Sequence, residues 1–121
     1  MTPSDASLLA AVSVMPVEDF AAAVAFYRDV LGFTPTFTAG EYGGVERGSV
    51  ELHLDAADPT TRPGVGVVTV RIAVDRIEDL YAELEPTGSV DPAEPLRDTP
   101  WGTTQFSVRD NCGNRITFVR A

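Results

Sequence analysis

At 121 residues the chain is sized for one domain around a single core. Its net charge is −9, and all nine basic residues are arginine. Such acidity disfavours nucleic-acid backbones and anionic membrane surfaces, which it repels, while it draws cationic small molecules toward clefts. One cysteine, Cys112, excludes an internal disulfide framework, and no apolar run reaches membrane-spanning length. The opening Met1-Thr-Pro-Ser-Asp is polar and carries no basic residue, so no secretory leader is expected and a cytoplasmic location is the default.

The first predicted strand is Leu9 to Val17. Asp19 then reads as a helix N-cap, with Phe20, Val24, Tyr27 and Leu31 on one apolar stripe and helix-favouring alanines between them. Gly32 stands where a helix C-terminus favours a residue without Cβ. A second strand covers Phe33 to Thr38, glycines 40, 43 and 44 break the chain, and Val50 to Leu54 is a further strand. Residues 56–66, rich in Pro, Gly and Asp, read as a linker. The pattern then restarts. Val67 to Val74 is β-branched, a helix begins at Asp75 or Arg76 with Ile77, Leu80, Tyr81 and Leu84 on its apolar face, and Pro86 and Gly88 end it. Residues 89–100 read as a loop or edge. Thr104 to Val108 and Arg115 to Val119 are strands joined by the turn Arg109-Asp-Asn-Cys-Gly-Asn.

The two halves register against each other. Val17, Phe20, Val24 and Tyr27 correspond to Val74, Ile77, Tyr81 and Leu84 at a constant offset of 57, and His53 corresponds to Thr117 at an offset of 64. The fold class expected is therefore α+β, two tandem βαβββ modules (about 9–55 and 67–120) whose curved sheet forms a cleft.

Three segments resemble one family. Val17-Glu-Asp-Phe through Phe26-Tyr-Arg-Asp-Val-Leu-Gly-Phe33 is similar to the opening of the vicinal-oxygen-chelate (glyoxalase) superfamily. Pro100-Trp-Gly102, Phe106-Ser-Val-Arg-Asp110 and Gly113-Asn114 resemble the ending of its bleomycin-resistance branch, and Tyr42-Gly-Gly-Val through Leu52-His-Leu resembles that branch's middle segment. The resemblance runs from Ala11 to Val119. It departs where the turn Asp110-Asn-Cys-Gly-Asn lacks a proline, and where the strand after the linker has Val and Thr in place of a tryptophan.

The resemblance implies a homodimer with drug grooves between the chains. It also implies stoichiometric capture of a planar cationic antibiotic of the bleomycin or phleomycin class, without bond making. Superfamily enzymes place metal ligands on the first and last strands of each module, which here gives Val12, His53, Thr69 and Thr117. Only His53 is a credible ligand for a divalent ion, so neither metal nor cofactor is expected and no catalytic residue is assigned. An enzyme with an unusual site around His53, such as an isomerase, a lyase or a dioxygenase-like protein, stays as the alternative, as does a binder of another natural product.

His53 stands between Leu52 and Leu54 and projects opposite to them; a hydrogen-bonded structural histidine and a cleft-lining one both fit. Cys112 reads as a turn residue without chemistry, although Arg109 and Arg115 nearby favour a thiolate. The glycines at 40, 43, 44 and 48 match no phosphate-binding pattern. Trp101, Phe33, Phe37 and Tyr42 lie near loops and strand ends, where planar rings suit a planar cation; core packing is the other reading for Phe33. The expected ligand-lining set is Phe33, Phe37, Tyr42, His53, Trp101, Gly102 and Gln105.

Overall fold

A computed structural model describes residues 2–121. Module 1 runs β1 (Ser13–Pro16), α1 (Phe20–Asp29), β2 (Thr34–Ala39), β3 (Tyr42–Arg47) and β4 (Val50–Asp55). Module 2 runs β5 (Thr69–Ala73), α2 (Ile77–Leu84), β6 (Arg97–Asp98), β7 (Thr104–Arg109) and β8 (Arg115–Arg120). Each module closes its own four-stranded mixed sheet, in the orders β1-β4-β3-β2 and β5-β8-β7-β6, so there are two sheets rather than one. In each, the first strand lies parallel to the last because the helix between them carries the chain back across the sheet.

Asp19 caps α1, its carboxylate accepting from Ala22 N at 3.0 Å. Along the stripe, Phe20, Tyr27 and Leu31 are buried and Val24 is half-buried. In α2, Ile77 and Leu84 are fully buried, with Leu80 and Tyr81 at the margin. The two modules share one core, in which Met15, Tyr27, Leu52 and Leu54 from the first join Phe106, Val108, Ile116 and Phe118 from the second.

Two polar junctions lock the modules. Asn114 donates to Pro16 O at 2.8 Å and to Asp110 Oδ2 at 3.1 Å, and accepts from Gly66 N at 2.9 Å, while the Tyr27 hydroxyl donates to Asp110 Oδ2 at 2.8 Å. At the other junction Arg47 donates to Leu31 O at 2.8 Å and forks onto Glu83 of α2 at 2.7 and 2.8 Å.

The first strand is shorter than its sequence pattern. Ser13 pairs with Leu52 near the start of β4, so residues upstream of Val12 run past the end of their partner. Leu8 and Leu9 are left bare to solvent. The strand expected over Val67 to Val74 shrinks likewise to Thr69–Ala73. Residues 89–100 do form an edge, through a bridge from Val90 to Val108 and the two-residue β6.

Candidate functional site

Helix α1 packs against β2, β3 and β4, and α2 against β7 and β8. Strand alternation then sends every second side chain to the face that no helix covers. Leu52 and Leu54 point into the core, so His53 projects onto the open face together with Glu51, and across the β4–β3 and β4–β1 ladders with Tyr42 and Val14. Phe37 joins them from β2, opposite Gly44. Its ring fits there because residue 44 has no side chain: a Cβ would sit 2.7 Å from the Phe37 ring.

The result is a compact aromatic cluster. The Phe37 and Tyr42 rings stand 5.2 and 5.3 Å from the His53 imidazole, both edge-on, and 6.1 Å from each other. Tyr42 Oη lies 2.5 Å from His53 Nδ1, and His53 Nε2 lies 3.1 Å from Glu51 Oε1. Burial, and then the charges of Asp55 and Glu51, push the Tyr42 phenol above its ordinary range, so it keeps its proton at neutral pH.

Module 2 presents its open face differently. Ser107 and Thr117 point away from the core yet are buried, because the segment before β6 folds over them. The Ser107 hydroxyl donates to the Glu94 carboxylate and meets the Thr117 hydroxyl at 2.8 Å, and Arg115 reaches Glu94 at 2.5 Å and Thr69 at 3.3 Å. On the same module the turn Pro100–Gly102 holds out Trp101, which is 66% exposed and pairs with no other ring among the described residues. Gly102 permits the turn, at φ +92°, a backbone region that side chains disfavour.

The expected lining residues therefore separate. Phe37, Tyr42 and His53 come together, and Trp101 with Gly102 stands on the other module. Phe33 is corrected to the core: it is 4% exposed and packs edge-on to Tyr27 at 5.8 Å, because Leu31 and Phe33 turn inward as the chain leaves α1. Gln105 shares the outward face of β7 with Ser107 but is 5% exposed, its side-chain carbonyl accepting from the Thr103 hydroxyl at 2.9 Å. Cys112, read as a turn residue without chemistry, lies in the turn that ends at Asn114; burial pushes its thiol up, against a Glu18 backbone hydrogen bond that lowers it, and the charges of Asp110, Glu18 and Asp19 add to the rise. Sequence reasoning missed Glu51, although its two-residue spacing from His53 placed both on one face. It also missed Glu94, whose role depends on a loop path that no pattern encodes.

A sequence profile of the Glyoxalase/Bleomycin resistance protein/Dioxygenase superfamily matches residues 9–118. The chain belongs to this superfamily. Bleomycin resistance proteins of Geobacillus stearothermophilus and Staphylococcus aureus are 29% identical to it, over 93% of this chain and 97% of theirs. The bleomycin-binding protein of bleomycin-producing Streptomyces verticillus, solved with copper(II)-bleomycin, superposes with a TM-score of 0.79 at 29% identity, covering 96% of this chain and 98% of that one. At 21% identity, lactoylglutathione lyase from Agrobacterium tumefaciens shares the fold, with a TM-score of 0.73 over 99% and 96% of the two chains.

The catalytic metal of superfamily enzymes does not fit these residues. The parallel register places Val14, rather than Val12, beside His53, and Arg71, rather than Thr69, beside Thr117. Valine has no ligating atom and arginine is a poor cation ligand. Among the described residues, no three His, Cys, Asp or Glu side chains converge.

Proposed function

We propose that the protein captures a bleomycin-class antibiotic stoichiometrically and confers resistance by withholding it, without altering it. The observation that carries this reading is the solvent-facing aromatic surface: Phe37, Tyr42 and His53 on module 1 and Trp101 on module 2, set in a protein of net charge −9. Stacking suits planar heteroaromatic rings, and the acidic field suits a cationic drug. Relatives that bear the name bleomycin resistance protein along nearly their full length support it.

In this reading two copies pair through these faces in the cytoplasm. Val14, Phe37, Val67 and Trp101 are all large apolar side chains left exposed in the single chain, and a symmetric contact covers them twice over. A catalytic reading would rest on the Tyr42–His53–Glu51 chain. It predicts a chemically altered drug, which separates it from capture.

Trp101 is the only tryptophan, so its emission reports one position. Titration with bleomycin should change that emission and saturate at one drug per chain, and mass spectrometry of the recovered drug should find it intact. A product of altered mass, or an unresponsive Trp101 with no heat of binding, would overturn the reading.

A further inference from the structure

The contact between His53 and its two polar neighbours has a direction. A neutral imidazole carries one ring proton. The Glu51 carboxylate can only accept, so the 3.1 Å contact with His53 Nε2 needs that proton on Nε2. Nδ1 is then a bare lone pair, and the 2.5 Å contact to Tyr42 must be filled by the phenol proton. The Tyr42 oxygen is left with its remaining lone pairs and no proton to offer outward.

We propose that Glu51 and His53 are positioning residues that turn Tyr42 into a hydrogen-bond acceptor on the open face, selecting ligands that bring a protonated amine or amidinium N–H to that oxygen. The proposal rests on the drug-binding reading above and names the ligand group that this part of the site takes. The surroundings favour a charged donor over a hydroxyl. The charged groups facing His53 are Glu51 and Asp55 on β4 and Glu46 on β3; β1 contributes Val14, and β2 contributes no titratable residue. The nearest arginine on β3, Arg47, is held by Glu83 and Leu31 at the module junction. Protonation of His53 reverses the arrangement. The imidazolium donates from Nδ1 to Tyr42, the phenol proton turns outward, and a positive charge appears beside the ligand's own.

The protein's single histidine makes this readable in the intact chain. Nitrogen NMR of ring-labelled wild-type protein should show the Nε2–H tautomer above the His53 titration, and Glu51→Gln should weaken that preference. Calorimetric titration with bleomycin should show about tenfold weaker binding once His53 is protonated, the size expected for losing one charge-assisted hydrogen bond. That pH-dependent component should be absent from His53→Gln, which removes the ligand's own titration from the comparison. Tyr42→Phe, which keeps the ring, should already bind about tenfold more weakly at high pH. An Nδ1–H tautomer in the wild type overturns the relay whatever the drug does, and this reading survives even if a variant fails to fold. The Nε2–H tautomer with the same pH profile in wild type and His53→Gln overturns the role toward the ligand. No saturable bleomycin binding at any pH removes the drug reading and the proposed ligand group with it, while the tautomer signal still judges the relay separately.

Discussion

Tyr27 carries the heaviest single polar commitment in the core. It is fully buried, and its hydroxyl donates to Asp110, a carboxylate that also takes bonds from the side chain and backbone of Asn114 and from Cys112 N. Burial first, and Asp110 second, push the phenol far above its ordinary range. Tyr27→Phe should cost about 1–3 kcal/mol of stability in urea unfolding, because it strips one donor from a buried charge, while bleomycin binding persists. Trp101→Ala should show the reverse. Its ring is mostly in solvent, so stability should barely move, whereas affinity should fall by about 1–3 kcal/mol, the range for losing one stacking partner. A large stability loss with intact affinity would place Trp101 outside the binding surface. Gly44→Ala tests the Phe37 pocket from beneath: the added methyl meets the ring at 2.7 Å and Thr36 Oγ1 at 2.5 Å, so the ring must swing away. Affinity should then drop as for Phe37→Ala, as read by titration calorimetry.

Among the elements, β4 does the most to organise the site. It pairs with β1 on one side and β3 on the other, and its alternation sends Leu52 and Leu54 inward and Glu51 and His53 outward. Much of this was legible in the sequence, since a two-residue period implies two faces once the apolar one is known. The ends of strands were less legible. The run from Leu9 to Val17 has the composition of a strand, but a strand exists only where a neighbour offers hydrogen bonds, and β4 supplies them only from Val50 onward. Helix α2 is tied to the far end of β3 by the Arg47–Glu83 fork. Both partners are more than a third exposed, so solvent screening keeps the pair's contribution small. Arg47→Ala should lower stability mainly because Leu31 O loses its donor at the junction, and Arg47→Ala should therefore be more damaging than Glu83→Gln in thermal unfolding.

At the scale of the whole molecule, the merged core makes the two modules one folding unit, so unfolding should be a single transition seen identically by circular dichroism and Trp101 emission. Its acid side follows from carboxylates held below their ordinary range: Glu83 by the Arg47 hydrogen bond, and Asp91 by the Ala93 backbone and then Arg109. A carboxylate whose folded pKa is depressed contributes stability that is present above its unfolded pKa, about 4, and is lost as pH falls through the folded value. The urea midpoint should therefore hold down to about pH 5 and decline below about pH 4. Light scattering at micromolar concentration should give twice the mass of the chain. A monomer that still binds one drug per chain at full affinity would sink the shared-groove arrangement.

Local chemistry was enough to read the repeat, both helices, the Asp19 cap of α1, the apolar stripes and the two-faced strands, because each depends on residues a few positions apart. It was enough, too, to set His53 opposite Leu52 and Leu54. Position in space required the tertiary structure. Phe33 and Phe37 lie four residues apart with similar neighbours, yet one is sealed against Tyr27 and the other lies on the open face over Gly44. Gln105 and Trp101 were both expected to line the site, yet Gln105 is buried with its side chain bonded to Thr103 while Trp101 stands out in solvent. The parallel register that put Val14 beside His53, and the loop path that set Glu94 over Ser107, arise between segments far apart in the chain. No local spacing specifies such contacts, because they come from how two sheets and two helices close over one shared core.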